Sequence, residues 1–277
     1  MVVTIGEQRI GEDEPTYLIA EAGINHNGEL AVAKDLVRAA KEAGADAIKF
    51  QTYETEKRVD ESSNIFDILK QCELSREAET ELFEFARDHG LTIFSTPFDV
   101  ESVEFLDELG VPAFKAASFH ITHKKLLRAM SKTGKPVIFS RGMATLEEIT
   151  DAIEIFDSHD TPCVLLHCVS SYPTEPEDAN LEIIRTLDDE FDCPIGFSDH
   201  TLGTEVPSLS VTTGADVIEK HFTLDTSMDG PDHELSLDPD GMETLVADVR
   251  RVESILGDGA VRRLNAEDAM QFRKETE

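Results

Sequence analysis

The sequence predicts an α/β fold, a TIM (β/α)8 barrel preceded by a short N-terminal β-hairpin. Eight short apolar runs recur along the 277 residues, and amphipathic helix patterns alternate with them. Polar or charged residues follow every run, and the C-terminal ends of barrel strands meet around one mouth. The alternative is a doubly wound open sheet, but no G-x-G-x-x-G turn follows the first strand. We therefore predict a barrel with its active site at the C-terminal ends of the strands.

Each element can be placed in order along the chain. The hairpin is expected at residues 2–5 and 9–11, where it could close the bottom of the barrel. Strands are expected at residues 17–20, 45–50, 92–95, 113–117, 137–139, 163–166, 195–197 and 217–220. Helices are expected at residues 30–43, 75–89, 100–109, 124–133, 145–158, 177–191, 203–213 and 239–256. Thr145 and Glu148 have capping-box spacing, and Gly44 and Gly90 follow helix ends.

The composition indicates one acidic, folded catalytic domain. It is expected to span residues 1–277, with the hairpin in residues 1–14 and a polar tail at 265–277. The formal net charge of −32 would repel nucleic acids and anionic membrane surfaces, so neither is expected as a partner. So many carboxylates in a chain that is 40% hydrophobic indicate a protein from a halophile. An ordinary acidic enzyme is the alternative.

The expected location is the cytoplasm. The four cysteines have no paired spacing, which suits a reducing compartment. The first residues lack the pattern of a signal peptide, and no apolar run approaches the roughly 20 residues that span a bilayer.

Two histidines follow successive strands late in the predicted barrel. His200 and His221 could bring two imidazoles to one divalent cation, with water or substrate completing the coordination. Asp199 and Glu219 are candidates to support them from behind. His26 and His167 compete for the same role, and a structural role is open for each histidine.

Two lysines lie inside apolar strands. Lys49 and Lys115 would be costly to bury unless something negative meets them. They either pair internally, with Glu21 or Asp199, or bind a small phosphorylated dianion with help from strand-end hydroxyls. These hydroxyls belong to Thr96, Ser118, Ser140 and Ser198. A lysine that forms a Schiff base, as in barrel aldolases, is also open.

Two carboxylates complete the candidate set. Glu21 ends the first strand, where it could transfer protons, although pairing with Lys49 is the alternative. Asp232 lies in a turn after the last strand, and either contacts a ligand or is only a turn residue.

Several motifs resemble the catalytic barrel of the sialic acid synthase family, which includes N-acetylneuraminate, legionaminate and pseudaminate synthases. The matching segments are EAGINHNG (21–28), KFQT (49–52), STPF (95–98), FKAAS (114–118), SRGM (140–143), HCVSSYPT (167–174), GFSDHT (196–201), EKHFT (219–223) and GPD (230–232). They cover nearly the whole chain in order.

The resemblance implies that phosphoenolpyruvate condenses with an open-chain N-acyl amino sugar aldehyde, giving a nonulosonic acid and phosphate. His200, His221 and Glu21 would be catalytic, and the two histidines would hold a divalent metal, Mn²⁺, with Mg²⁺, Co²⁺ or Zn²⁺ as alternatives. Phosphoenolpyruvate is expected on Lys49, Thr96, Lys115, Ser118, Ser140 and Ser198. Ser170, also a candidate for substrate binding, stands where the family often has an asparagine. The acceptor sugar is expected on Gln51, Tyr172 and Asp232.

The chain departs from the family pattern at two substrate-binding positions and at its end. His120 stands where the family has a glutamate that meets the sugar, and Arg141 where it has a small threonine. Arg141 either binds an extra acidic group or pairs with a carboxylate. The chain is expected to lack the C-terminal antifreeze-like domain of the family, so the partners expected besides small-molecule substrates are a second copy, in a homodimer, or a separate accessory subunit.

Two other functions are open. The barrel could be an aldolase or lyase that acts on a 2-oxo acid through a Schiff base. It could instead be a non-catalytic sugar-binding protein. The presence of Glu21 and both histidines argues against simple binding, which needs neither a metal nor a proton donor.

Overall fold

A computed structural model describes residues 1–262, so the expected tail at 265–277 lies outside the described residues. An antiparallel hairpin of β1 (Val2–Ile5) and β2 (Gln8–Gly11) comes first. Eight parallel strands then form a closed barrel, in which each strand pairs with the next and the last pairs with the first. They are β3 (Tyr17–Gly23), β4 (Ala47–Thr52), β5 (Thr92–Pro97), β6 (Phe114–Ala116), β7 (Val137–Ser140), β8 (Cys163–Cys168), β9 (Ile195–Asp199) and β10 (Val217–His221). The predicted barrel and hairpin are confirmed.

Helices connect the strands. They are α1 (Leu30–Glu42), α2 (Thr55–Arg58), α3 (Phe66–Cys72), α4 (Arg76–Asp88), α5 (Val100–Glu108), α6 (Lys124–Ser131), α7 (Leu146–Asp157), α8 (Glu182–Glu190), α9 (Glu205–Ser210) and α10 (Pro239–Leu256). Short 3-10 turns occupy Ser118–His120, Pro176–Asp178 and Val211–Thr213. The sequence did not predict α2 and α3, which lie between β4 and α4. Within residues 1–262, no helix is both long and apolar enough to cross a bilayer.

Side chains alternate along each strand between the barrel interior and the layer of helices. In β7, Ile138 belongs to the interior cluster, whereas Phe139 packs in the cluster between strands and helices. The interior cluster also contains Val3, Ile5 and Ile10 of the hairpin, all nearly inaccessible to solvent. The hairpin therefore closes the bottom of the barrel, as predicted, and leaves the opposite end open.

Candidate active site

A cavity of about 320 Å³ opens at the C-terminal ends of the barrel strands. Thirteen predicted site residues line it, namely Glu21, Lys49, Gln51, Thr96, Lys115, Ser118, Ser140, Ser170, Tyr172, Ser198, His200, His221 and Asp232. A larger cavity, of about 590 Å³, lies at the opposite end beside the hairpin turn. Two of its cations, Lys41 and Arg87, already donate hydrogen bonds to backbone carbonyls. This cavity is therefore a weaker candidate for a catalytic site than the mouth of the barrel.

Lys49 forms a buried ion pair at the centre of the mouth. Its Nζ atom lies 2.6 Å from Oε2 of Glu21 on the neighbouring strand β3. The same nitrogen donates to Oγ1 of Thr96 at 3.2 Å and lies 3.8 Å from Oε2 of Glu219. The internal pairing that the sequence left open is therefore present. It occurs inside a cavity, where a ligand can also reach the ammonium.

Lys115 stands on the other side of Glu219. Its Nζ atom donates to Oγ of Ser140 at 2.7 Å and lies 3.6 Å from Oε1 of Glu219. Ser198 donates to that same carboxylate oxygen at 2.9 Å, whereas Oε2 of Glu219 is buried and accepts no hydrogen bond. Glu219 thus lies between the two lysines and faces the cavity, rather than supporting the histidines from behind.

Burial and the neighbouring charges set the protonation of this array. Burial raises the pKa of Glu21 to about 7, although Lys49 opposes the shift. Burial would raise the pKa of Glu219 as well, but Lys115 and Lys49 outweigh it and the pKa lies below its usual value. Burial lowers the pKa of Lys115. For Lys49 the two carboxylates outweigh burial and raise the pKa. Glu21 is therefore the carboxyl group that can gain or lose a proton near neutral pH.

The two predicted metal ligands lie side by side. The ring centroids of His200 and His221 are 5.5 Å apart. Nδ1 of His200 is 2.7 Å from the carbonyl oxygen of Val169, which can only accept, so Nδ1 carries the proton and Nε2 keeps its lone pair. Nδ1 of His221 is buried without a hydrogen-bond partner and lies 3.8 Å from Oδ2 of Asp232.

Both imidazoles are in the form that binds metals. Burial lowers the pKa of His200 and of His221, which keeps the rings neutral. The unpartnered Nδ1 of His221 and the lone pair on Nε2 of His200 are the atoms that fit a divalent cation. Within residues 1–262, no group of three or more His, Cys, Asp or Glu side chains forms a metal site, so these rings would supply two protein ligands. Water or substrate oxygen would complete the coordination.

Small side chains shape the opposite wall. Ser118 Oγ lies 2.9 Å from Sγ of Cys168, beside the backbone of Gly142. A Cβ atom at Gly142 would come within 2.5 Å of Ser170 Oγ and 2.6 Å of Ser118 Oγ, so only glycine lets this backbone approach the two hydroxyls. Tyr172 stacks on His200, with ring centroids 4.1 Å apart.

The structure does not bring His120 and Arg141 into the cavity lining. His120 is buried between Phe98 and Phe119, at centroid distances of 5.1 and 4.4 Å, and burial lowers its pKa to about 3. Arg141 follows the last residue of β7, its Nε is buried without a hydrogen-bond partner, and its charge acts on His167, which does not line the cavity. The expected substrate contacts of both residues have no support in this geometry.

The competing histidines have structural partners. His26 accepts a hydrogen bond from the backbone N–H of Gly28 at 3.0 Å, which caps a turn. His167 Nε2 lies 2.7 Å from the carbonyl oxygen of Ala179. Neither residue lines the cavity.

Arg58, on α2, is a cavity residue that the sequence analysis missed. Its guanidinium carbon lies 3.7 Å from the ring centroid of Phe98 and 4.6 Å from that of Tyr53. Its Nη1 donates to Oε1 of Gln51 at 3.0 Å. Among residues 1–262, no carboxylate lies within 4.0 Å of it. The long connection between β4 and α4 was the available signal, because barrel sites are built from such loops.

The chain is similar to several known proteins. The model of the NeuB family matches residues 36–261. The N,N'-diacetyllegionaminic acid synthase of Legionella pneumophila is 45% identical over 268 residues, which cover 90% of this chain and 75% of the relative. The pseudaminic acid synthase of Campylobacter jejuni is 41% identical over 262 residues, covering 89% of this chain and 76% of the relative. A solved N-acetylneuraminic acid synthetase from Leptospira borgpetersenii, in complex with citrate, matches with a TM-score of 0.93 at 40% identity, covering 98% of this chain and 95% of that chain.

Proposed function

This chain belongs to the NeuB family and is a carbon–carbon bond-forming transferase, and on that premise we propose that it condenses phosphoenolpyruvate with an N-acyl amino sugar aldehyde in a metal-dependent reaction. The enol carbon attacks the aldehyde carbon, water adds to the resulting cation at C2, and phosphate leaves. The products are a nonulosonic acid and inorganic phosphate. The observation that carries the proposal is the array of two lysines and two glutamates beside two neutral imidazoles at one mouth.

Phosphoenolpyruvate is proposed to bind deep in the mouth. Lys49 and Lys115 are the cations there, and the hydroxyls of Thr96, Ser140 and Ser198 surround them. Lys49 already has two carboxylates nearby, Glu21 and Glu219, and Lys115 has Glu219, so the bound anion displaces part of that internal pairing instead of meeting bare charges. Ser118 and Ser170, which face Gly142, offer further donors.

The acceptor is proposed to lie nearer the rim. Gln51 follows Lys49 by two residues on β4, which places it about 7 Å further towards the mouth. Tyr172 and Asp232 line the same region, and Arg58 adds a donor beside Gln51. His200 and His221 would hold a divalent cation, which when bound polarises the aldehyde oxygen as a Lewis acid.

Glu21 is proposed to act as a general base and to stabilise positive charge at C2. Its carboxyl group titrates near neutral pH and is 2.6 Å from Lys49. In its ionised form it can stabilise the positive charge that develops at C2 and accept a proton from the attacking water.

Phosphate release tests this function. Purified protein with Mn²⁺, phosphoenolpyruvate and a panel of N-acyl hexosamines is expected to release phosphate, to stop when a chelator removes the metal, and to recover when Mn²⁺ is restored. Lys115→Met should raise the KM for phosphoenolpyruvate, whereas Lys124→Met, which breaks an exposed pair with Asp151, should not. No phosphate release across the panel, with Mn²⁺ bound, would contradict the proposal.

An aldolase or lyase acting on a 2-oxo acid is the second candidate. The lowered pKa of Lys115 favours it, because a Schiff base needs a neutral amine. Borohydride trapping of pyruvate on Lys115, without phosphate release, would support it. The expected homodimer or accessory subunit, and the cytoplasmic location, stay predictions.

A further inference from the structure

A buried ion pair lies directly behind the two histidines. Nζ of Lys220 is 2.6 Å from Oδ2 of Asp199, and the side chains are 1% and 0% exposed. The two residues are register partners on β10 and β9, and each immediately precedes a histidine, His221 or His200. The pair therefore joins the two strands at the point where the imidazoles leave them.

The same pair holds the turn that carries His200. The carboxylate of Asp199 accepts hydrogen bonds from the backbone N–H and from Oγ1 of Thr201, both at 3.0 Å. Lys220 donates to the backbone oxygen of Thr201. The residues on both sides of His200 are thus fixed by groups from two different strands.

Stability alone is a weak reason for charges at this place. Removing two charges from water is costly, and a well-packed apolar pair of similar volume often stabilises a fold equally well. Two residues earlier on the same strands, the register partners are Phe197 and Ile218, which pack in the apolar layer under the helices. The outward-facing positions of these strands become charged only where the neighbouring residues are the histidines.

We propose that Asp199 and Lys220 are positioning residues that set the separation and orientation of the His200 and His221 imidazoles for one divalent cation. This inference rests on the proposed metal-dependent function. Neither residue lines the cavity, so both act through the histidines and not on substrate. A charge-assisted hydrogen bond fixes distance and direction more closely than apolar contact does, and partners behind metal-binding histidines change metal affinity by about 10–100-fold.

Mn²⁺ binding, measured without substrates, tests the inference. The double variant Asp199→Asn/Lys220→Met removes both charges, and its amide can still bond to Thr201. It is expected to fold, as judged by circular dichroism and thermal melting, and to bind Mn²⁺ about tenfold or more weakly by calorimetry. Its Mn²⁺ electron paramagnetic resonance spectrum should also change. The single variant Lys220→Arg keeps the positive charge, so its affinity for Mn²⁺ should stay close to that of the wild type.

Arg250→Met is the matched control. Arg250 also joins a carboxylate, that of Asp46, and a backbone oxygen, that of Thr16, but near the start of the strands. Its loss should lower the melting temperature without changing Mn²⁺ affinity.

Three results would overturn the inference: a folded double variant that binds Mn²⁺ as the wild type does, a double variant that is unfolded at 25 °C, or a wild type that binds no divalent metal. Pair-dependent Mn²⁺ binding without phosphate release would uphold the positioning role and count against the proposed reaction alone.

Discussion

At Glu21, two opposing influences act on one carboxyl group. Burial raises its pKa and Lys49 lowers it, with the result near 7. We predict that kcat rises with pH through about 7, because the ionised form is the active one. Glu21→Gln should abolish that dependence and lower kcat by about 10²–10⁴-fold. Steady-state kinetics between pH 5.5 and 8.5 would measure both effects, and an unchanged pH profile in the variant would contradict the assignment.

The same carboxyl group links stability to pH. Its folded pKa of about 7 exceeds its ordinary value of 4.5, so the folded protein binds the proton more tightly than the unfolded chain. Its contribution to the free energy of unfolding is therefore complete below pH 4.5 and is lost as the pH rises to 7. Urea unfolding of the wild type and of Glu21→Gln at pH 5 and pH 8 should show a larger decline in the wild type. Part of the decline should persist in the variant, because burial also raises the pKa of Glu79 to about 8 and that of Asp216 to about 6.

Arg58 is a cation at the mouth, and among residues 1–262 no carboxylate lies within 4.0 Å of it. We predict that Arg58→Gln raises the KM for the acceptor by about tenfold or more, because a hydrogen bond to a charged group contributes about 1.5–3 kcal/mol. The KM for phosphoenolpyruvate should change much less. Lys57→Gln is the control, since it removes a charge from the same helix where the side chain pairs with Glu54 outside the cavity. Equal effects of the two variants on acceptor KM would refute the role of Arg58.

The sequence predicted which functional residues lie in or at the end of a strand. It did not predict the side-chain direction of residues outside the strands. Lys49, Lys115 and Glu21 lie within or at the end of apolar runs, so their convergence follows from the fold. Arg141 follows the last residue of β7, so the strand pattern does not fix where its side chain lies, and it does not line the cavity. Arg58 lies on a four-residue helix in a loop, where no periodic pattern fixes direction.

At the scale of elements, a glycine in the loop between β3 and α1 allows that loop to approach the backbone of α3 closely. Gly28 has a φ of +81°, and a Cβ atom there would lie 2.1 Å from the backbone oxygen of Gln71. We predict that Gly28→Ala lowers the free energy of unfolding by about 3 kcal/mol or more, through backbone strain and displacement of α3.

Gly90→Ala is the matched control for that prediction. Gly90 also has a positive φ, +65°, but nothing lies within 4 Å of the added atom. Its cost should be only the left-handed backbone penalty, about 1–2 kcal/mol. Urea titrations of both variants would give the comparison, and equal losses would show that the contact with Gln71 relaxes freely.

The elements that the sequence described incompletely are those interrupted by special backbone geometry. The helix expected at 177–191 is divided, because Asn180 has a φ of +44° between the turn Pro176–Asp178 and α8. The helix expected at 203–213 begins at Glu205 and ends in a 3-10 turn before Gly214. Such breaks depend on single dihedral angles, which a periodic pattern does not encode.

For the whole molecule, the formal net charge of −32 is the dominant electrostatic fact. Carboxylates repel one another across the surface, and salt screens that repulsion over about 3 Å at 1 M ionic strength compared with 10 Å at 0.1 M. We predict that raising KCl from 0.1 M to 2 M increases the melting temperature by at least about 4 °C, which corresponds to roughly 1–2 kcal/mol. Scanning calorimetry would measure it. A melting temperature that stays constant or falls would argue against adaptation to high salt.

The segment from α2 to α3 is tied at its own base, because Glu73 accepts hydrogen bonds from both the backbone N–H and the hydroxyl of Thr55, at 2.8 and 2.6 Å. Its two ends therefore lie close together, whereas Lys49 and Lys115 belong to the strands β4 and β6. We expect that exchanging this segment, which carries Arg58, between barrels of this type changes the preference for the acceptor and leaves the proposed phosphoenolpyruvate contacts of the strands in place.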